Sequence, residues 1–179
     1  MKIKAAILGL VIILALFSAV TIFAAPDPPP YNLIVFDQGI VVKDGGIINL
    51  GDPLSKVYKI MGQPTWSGRD GRSVYANYEN SKLLFYAFVD GLFGAPENSD
   101  PSVYSIEIAS SDFVTLEGVK IGDFRERVVG VYRSNIISTS KVGDDESSYT
   151  LIELGFESSA ALLYFDSKDA LSLIVLTRR

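Results

Sequence analysis

The strongest constraint on this chain is that it repeats itself. Leu50-Gly51-Asp52 recurs as Ile121-Gly122-Asp123, and at the same spacing Lys56 matches Arg127 and Val57 matches Val128. A glycine precedes each string, Gly46 and Gly118. Downstream, Tyr78-Glu79-Asn80-Ser81 matches Phe156-Glu157-Ser158-Ser159, and Leu84 and Tyr86 match Leu162 and Tyr164. The apolar run Val103 to Ile108 matches Leu171 to Leu176. Features that keep their order across two halves point to one supersecondary pattern used twice.

Each Gly-Asp reads as the entry to a short helix, with Gly51 and Gly122 in the tight turn. Asp52 is the expected N-cap and Pro53 the first helical residue, where its missing N–H costs nothing. Leu54, Val57, Tyr58 and Met61 then share one face, and Gly62 and Pro64 end the helix. In the second copy Asp123 is the expected cap, with Glu126 at capping-box spacing. Phe124, Val128, Val131 and Tyr132 form its apolar face, and Gly130 weakens it by about 1 kcal/mol. Strands are expected at 74–78, 82–88 and 103–108, and again at 149–156, 160–165 and 171–176. Residues 32–36 and 40–42 read as an added edge hairpin, and 113–115 as the lead into the second unit. The predicted class is α+β: two tandem helix-plus-three-strand units, 32–110 and 111–179, forming an antiparallel sheet with helices on one face.

Residues 1–25 stand apart. Lys2 and Lys4 precede an uncharged run from Ala5 to Ala25, ending in the small pair Ala24-Ala25. This is the pattern of an export signal cut after Ala24 or Ala25. As a helix the run would be about 31 Å long at roughly 1.5 Å per residue, so an uncleaved membrane anchor is the competing reading. Either places the remainder outside the cytoplasm, secreted, periplasmic or anchored facing outward. Residues 26–31, with Pro26, Pro28, Pro29 and Pro30, read as a stiff spacer.

Composition narrows the chemistry. The chain has no histidine and no cysteine, which excludes Ser-His-Asp and Cys-His catalysis, imidazole or thiolate metal sites, and disulfides. Its net charge of −5 becomes more negative once Lys2 and Lys4 are removed, so nucleic acid is not an expected partner. Asp144-Asp145-Glu146 lacks the alternating spacing of a calcium loop. Ser138-Thr139-Ser140-Lys141 matches Ser-x-x-Lys, but neither Ser-Asp-Asn nor Lys-Thr-Gly accompanies it. No metal, cofactor or catalytic residue is expected.

The string Thr115-Leu116-Glu117-Gly118-Val119-Lys120-Ile121-Gly122-Asp123, followed by a helix with Val128 and Tyr132, resembles the opening of β-lactamase-inhibitor-protein-like domains, a superfamily that includes small outer-membrane assembly lipoproteins. Gly46 to Gly62 with Gln63-Pro64 is similar. The resemblance implies a non-catalytic module that binds protein or envelope surfaces, using exposed aromatics on one sheet face. The chain lacks the lipid-acceptor cysteine and the disulfides of those relatives, so neither a lipid anchor nor β-lactamase inhibition carries over.

Strand alternation sets Tyr75 opposite Val74, Ala76 and Tyr78. If Phe85 and Ile106 face the helices, Tyr75 and Tyr86, with Leu84 and Phe88, face the other way, joined by Tyr149 and Tyr164. Trp66, the single tryptophan, falls in a polar loop from Thr65 to Ser73. These five aromatics, Trp66, Tyr75, Tyr86, Tyr149 and Tyr164, are the candidate binding residues. Gly51, Asp52, Gly122 and Asp123 have a structural role. The expected function is an exported, non-catalytic protein-binding or envelope-assembly module with another envelope or secreted protein as partner. The alternatives are a membrane-anchored sensor or ligand-binding domain, and a wall-sugar hydrolase working through two carboxylates roughly 5–9.5 Å apart.

Overall fold

The computed structural model describes residues 32–43, 45–89, 100–143 and 148–179. The export segment, the proline spacer, most of the 90–101 loop and the 144–146 acidic run lie outside the described residues. Among the described residues, no helix is long and apolar enough to cross a membrane.

Twelve strands and two eight-residue helices follow in the order β1 (Asn32–Val35), β2 (Gly39–Val42), β3 (Gly46–Asn49), α1 (Leu54–Met61), β4 (Trp66–Asp70), β5 (Ser73–Tyr78), β6 (Leu83–Phe88), β7 (Ser102–Ile108), β8 (Phe113–Thr115), α2 (Arg125–Tyr132), β9 (Ile136–Val142), β10 (Tyr149–Gly155), β11 (Ser159–Phe165) and β12 (Leu171–Arg178). They form two sheets. The small one runs β3-β2-β1-β8, and the large one β4-β5-β6-β7-β12-β11-β10-β9.

This corrects the predicted α+β class of two helix-plus-three-strand units in one antiparallel sheet. The described chain is mostly β, in sheets of four and eight strands, with only two short helices. The 32–42 hairpin is not an edge of the main sheet, and 113–115 is more than a lead-in. β1 pairs antiparallel with β2 and parallel with β8, building a separate sheet. Trp66 is also not in a loop: β4 pairs with β5 from Trp66↔Asn77 to Asp70↔Ser73.

The large sheet is antiparallel throughout and has an internal two-fold. At its centre β7 meets β12 through Ile108↔Ile174, Glu107↔Val175 and Ile106↔Leu176, pairs that exchange when the halves are swapped. On one side Leu84 pairs with Glu107 and Tyr86 with Ser105; on the other Leu162 pairs with Val175 and Tyr164 with Leu173. A register shift follows Tyr86 on one side and Tyr164 on the other. The repeat read from sequence is therefore a repeat of strand register, down to the bulge.

The Gly-Asp strings make matching corners. Gly51 and Gly122 have φ of 93° and 96°, a region open to glycine and strained for other residues. Gly51 N–H donates to Val103 C=O at 2.6 Å and Val103 N–H to Asp52 C=O at 2.8 Å. Gly122 and Leu171 repeat the first bond at 2.8 Å, and Leu171 and Asp123 the second at 2.9 Å. Each corner thus ties the approach to a helix onto the start of β7 or β12.

The expected helix caps are corrected here. Pro53 and Phe124 occupy the N-cap positions, and neither helix has a side-chain cap. The Asp52 carboxylate instead accepts from Asn49 N–H at 2.6 Å and pairs with Lys56 at 2.7 Å. Asp123 accepts from Lys120 N–H at 2.9 Å and pairs with Arg127 at 2.8 Å. Both aspartates brace the turn before the helix, and the matching Lys56 and Arg127 are their counter-ions.

One apolar cluster joins all layers. Ala76, Leu83, Phe85, Ile106, Ile108, Leu163, Ile174 and Leu176 of the large sheet lie in it with Ile34, Ile40 and Ile48 of the small sheet and Leu54, Val57 and Val128 of the helices. The small sheet and helices therefore cover one face of the large sheet. A second tie is polar: Asp37, after β1, accepts from Ser158 N–H at 3.0 Å and Ser158 Oγ at 2.9 Å. These bonds hold its carboxyl below the ordinary carboxylate range.

Candidate functional site: the outer face of the large sheet

Residues two apart along a strand share a face, and the burial pattern shows which face is covered. In β6, Leu83, Phe85 and Ala87 are buried while Leu84, Tyr86 and Phe88 are partly exposed. In β11, Ala161, Leu163 and Phe165 are buried while Leu162 and Tyr164 are partly exposed. Register carries the partly exposed set across the sheet. Trp66, Asn77, Leu84, Glu107, Val175, Leu162, Glu153 and Ser138 form one continuous cross-strand row. Gly68, Tyr75, Tyr86 and Ser105 lie in the next row.

All five predicted aromatics fall on this outer face, in two groups. Trp66 packs edge-on against Tyr75, with ring centres 5.4 Å apart at 75°. Gly68 makes this possible, because a Cβ there would lie 2.2 Å from the Tyr75 ring. Tyr86 meets Tyr104 at 6.2 Å, and Tyr104 meets Phe88 at 6.4 Å. In the other half Tyr149 and Tyr164 lie 5.5 Å apart, tilted by 43°. Trp66 is 45% exposed, which leaves its ring accessible at the sheet edge.

Two residues of the face escaped the sequence. Tyr104 shares parity with the buried Ile106 and Ile108, so alternation turns it inward. The register shift between Tyr86↔Ser105 and Ala87↔Val103 brings it out against Tyr86. Glu107 was hidden inside an apolar run, yet it lies at the two-fold centre, flanked by tyrosines. Burial, and then the Glu107 carboxylate and Tyr104, push the Tyr86 hydroxyl up from its usual value. Burial, then Tyr149 and Glu107, push Tyr164 up likewise.

Glu107 and Glu153 share a row with two strands between them, so they are separated by three strand spacings, roughly 14 Å. That exceeds the roughly 5–9.5 Å between paired glycosidase carboxylates. Among the described residues no cluster of three metal-ligating side chains occurs. Gly51, Asp52, Gly122 and Asp123 belong to the corners and contribute nothing to this face.

No family model matches the chain, and no curated protein does. Among solved structures with distant likeness are two bacterial proteins. One is a DUF4309 family protein from Bacillus subtilis, 10% identical, aligned over 72% of this chain and 79% of that one with a TM-score of 0.44. The other is a cysteine-rich secretory protein from Staphylococcus aureus, 10% identical, aligned over 73% of this chain with a TM-score of 0.49. This chain spans 44% of that protein's length. Likeness at this level assigns neither a family nor an activity.

Proposed function

We propose that this chain is an exported, non-catalytic module whose outer sheet face binds another envelope or secreted protein. One observation supports this above the others: the small sheet and both helices cover one face of the large sheet, and the opposite face is rich in partly exposed tyrosines. Tyrosine and tryptophan bury large area at low entropic cost and dominate the binding energy of many interfaces. Glu107 at the centre and Glu153 on the same row make the midline acidic. Arg72 over the Phe88 ring and Arg178 and Arg179 beside Tyr104 add cations at one corner, so the partner presents donors to the centre of the face and acceptors to that corner. Export rests on Lys2, Lys4 and the apolar run to Ala25, and the mass of the purified protein separates cleavage from retention.

The binding test uses the tagged full chain against envelope extract, followed by rebinding of the purified captured partner. The double substitution Tyr86→Ala with Tyr164→Ala should weaken rebinding by about 100-fold if both are anchors. Undiminished affinity in a folded double variant refutes the assignment of this face.

A further inference from the structure

The internal two-fold relates two corners of the outer face that differ both in chemistry and in the connection beyond them, a short turn between β11 and β12 but a longer connection between β6 and β7. At the second-half corner an open surface hollow of about 370 Å³ is bordered by Tyr149, Tyr164, Asp166, Ser167 and Ser172. In the first half, register and the shared bulge place Phe88 where Asp166 stands, Ser73 where Tyr149 stands and Tyr104 where Ser172 stands. The strand pairing alone therefore requires no tyrosine pair here, while one oxygen of the carboxylate also braces the turn that follows.

Asp166 is oriented from within its own turn. Its Oδ1 accepts from Lys168 N–H at 2.9 Å and Ala170 N–H at 3.0 Å. Both bonds use the same oxygen, which leaves Oδ2 for an external donor. The two tyrosine rings, 5.5 Å apart and tilted by 43°, pack against each other and line the same hollow as Asp166. Aromatic faces attract cations through the ring quadrupole. Glu107 lies close enough to Tyr164 to act on its hydroxyl, and the chain as a whole is at −5. Ring faces and a held carboxylate, with Glu107 nearby, favour a positive ligand over an anion.

We propose that the Tyr149–Tyr164–Asp166 corner is a binding site for an alkylammonium group. The rings take the apolar, charge-bearing head and Asp166 Oδ2 supplies the counter-charge. The same chemistry is offered by a free small amine and by a lysine side chain of a protein partner. The site uses two tyrosines of the proposed protein-binding face but needs no protein partner to operate.

Calorimetric titration of the full chain tests this with choline, with butylammonium as a lysine mimic, and with 3,3-dimethyl-1-butanol as the uncharged isostere of choline. We expect saturable binding of at least one cation, weakened at high salt, and binding of the alcohol at least about 10-fold weaker. Tyr149→Ala and Asp166→Asn should each weaken cation binding by about 10-fold or more, with Asp166→Asn preserving an acceptor for the turn. Tyr86→Ala should leave it unchanged. Choline binding alone points to a free ligand, and butylammonium binding alone points to a lysine; either supports the site. No saturable cation binding, equal binding of the alcohol, or indifference to both corner substitutions in folded protein overturns it. Because Tyr86→Ala weakens the partner but spares the cation, failure of one proposal is distinguishable from failure of the other.

Discussion

Gly68→Ala tests how the aromatic end of the face is built. An added Cβ would sit 2.2 Å from Tyr75 Cε2, 2.7 Å from Cζ and 2.8 Å from the hydroxyl oxygen. The ring cannot stay, but it is the mobile end of a partly exposed side chain, so it swings away and the backbone holds. The loss is the edge-to-face pair with Trp66, about 0.5–1.5 kcal/mol beyond burial. Against it stands a gain of about 0.4–1 kcal/mol, because alanine restricts the unfolded chain and Gly68 is not held in a left-handed conformation. The two nearly cancel, so the expected change in stability is under about 1 kcal/mol. Denaturation alone is therefore a poor readout. Trp66 is the only tryptophan, and its emission reports directly on its partner ring. The expected result is a red-shifted Trp66 spectrum with near-native stability. Unchanged emission, or a loss of several kcal/mol, refutes the packing of Tyr75 over Gly68.

Three further outcomes follow from the scaffold. Phe85→Ala removes a fully buried ring that packs edge-on against Tyr78, and should cost about 3–5 kcal/mol in a denaturant titration. Gly122→Ala has open space for its methyl group but a φ of 96°. It should therefore cost about 1–2 kcal/mol from backbone strain alone, again read by denaturation. The Asp37 carboxyl titrates below its usual 3.8 because Ser158 bonds its charged form. Its stabilising effect is complete above the unfolded value and fades as pH falls from about 3.8 through the lower folded value. Asp37→Asn should flatten that part of the acid-unfolding profile, and an unchanged profile would contradict the tie.

How far the chain could be read depended on whether burial left a periodic trace. β5, β6, β10 and β11 bury nearly every second residue, so alternation alone placed Tyr75, Tyr86, Tyr149 and Tyr164 on one face. β4 and β9 are edge strands with almost every side chain exposed, and a strand held only by backbone bonds writes no alternation. Trp66 therefore read as a loop residue, and each half gained an unforeseen fourth strand. The small sheet depends on parallel pairing between Asn32–Ile34 and Phe113–Thr115, a contact no local pattern encodes. Asp52 and Asp123 have the sequence of helix caps, but with Pro53 and Phe124 in extended conformation their carboxylates point back to Asn49 and Lys120. The outward turn of Tyr104 came from a bulge, visible only once the two halves are compared by register.

Whether the outer face meets a partner is open to direct measurement. A photo-crosslinking residue placed at position 86 or 164 on the outer face, or at exposed Lys59 on α1, reports what lies against each side in the intact envelope. We predict one shared crosslinked protein from positions 86 and 164 and none from position 59. A protein captured from position 59 alone, or none from either outer-face position, contradicts a partner-binding role for the aromatic face.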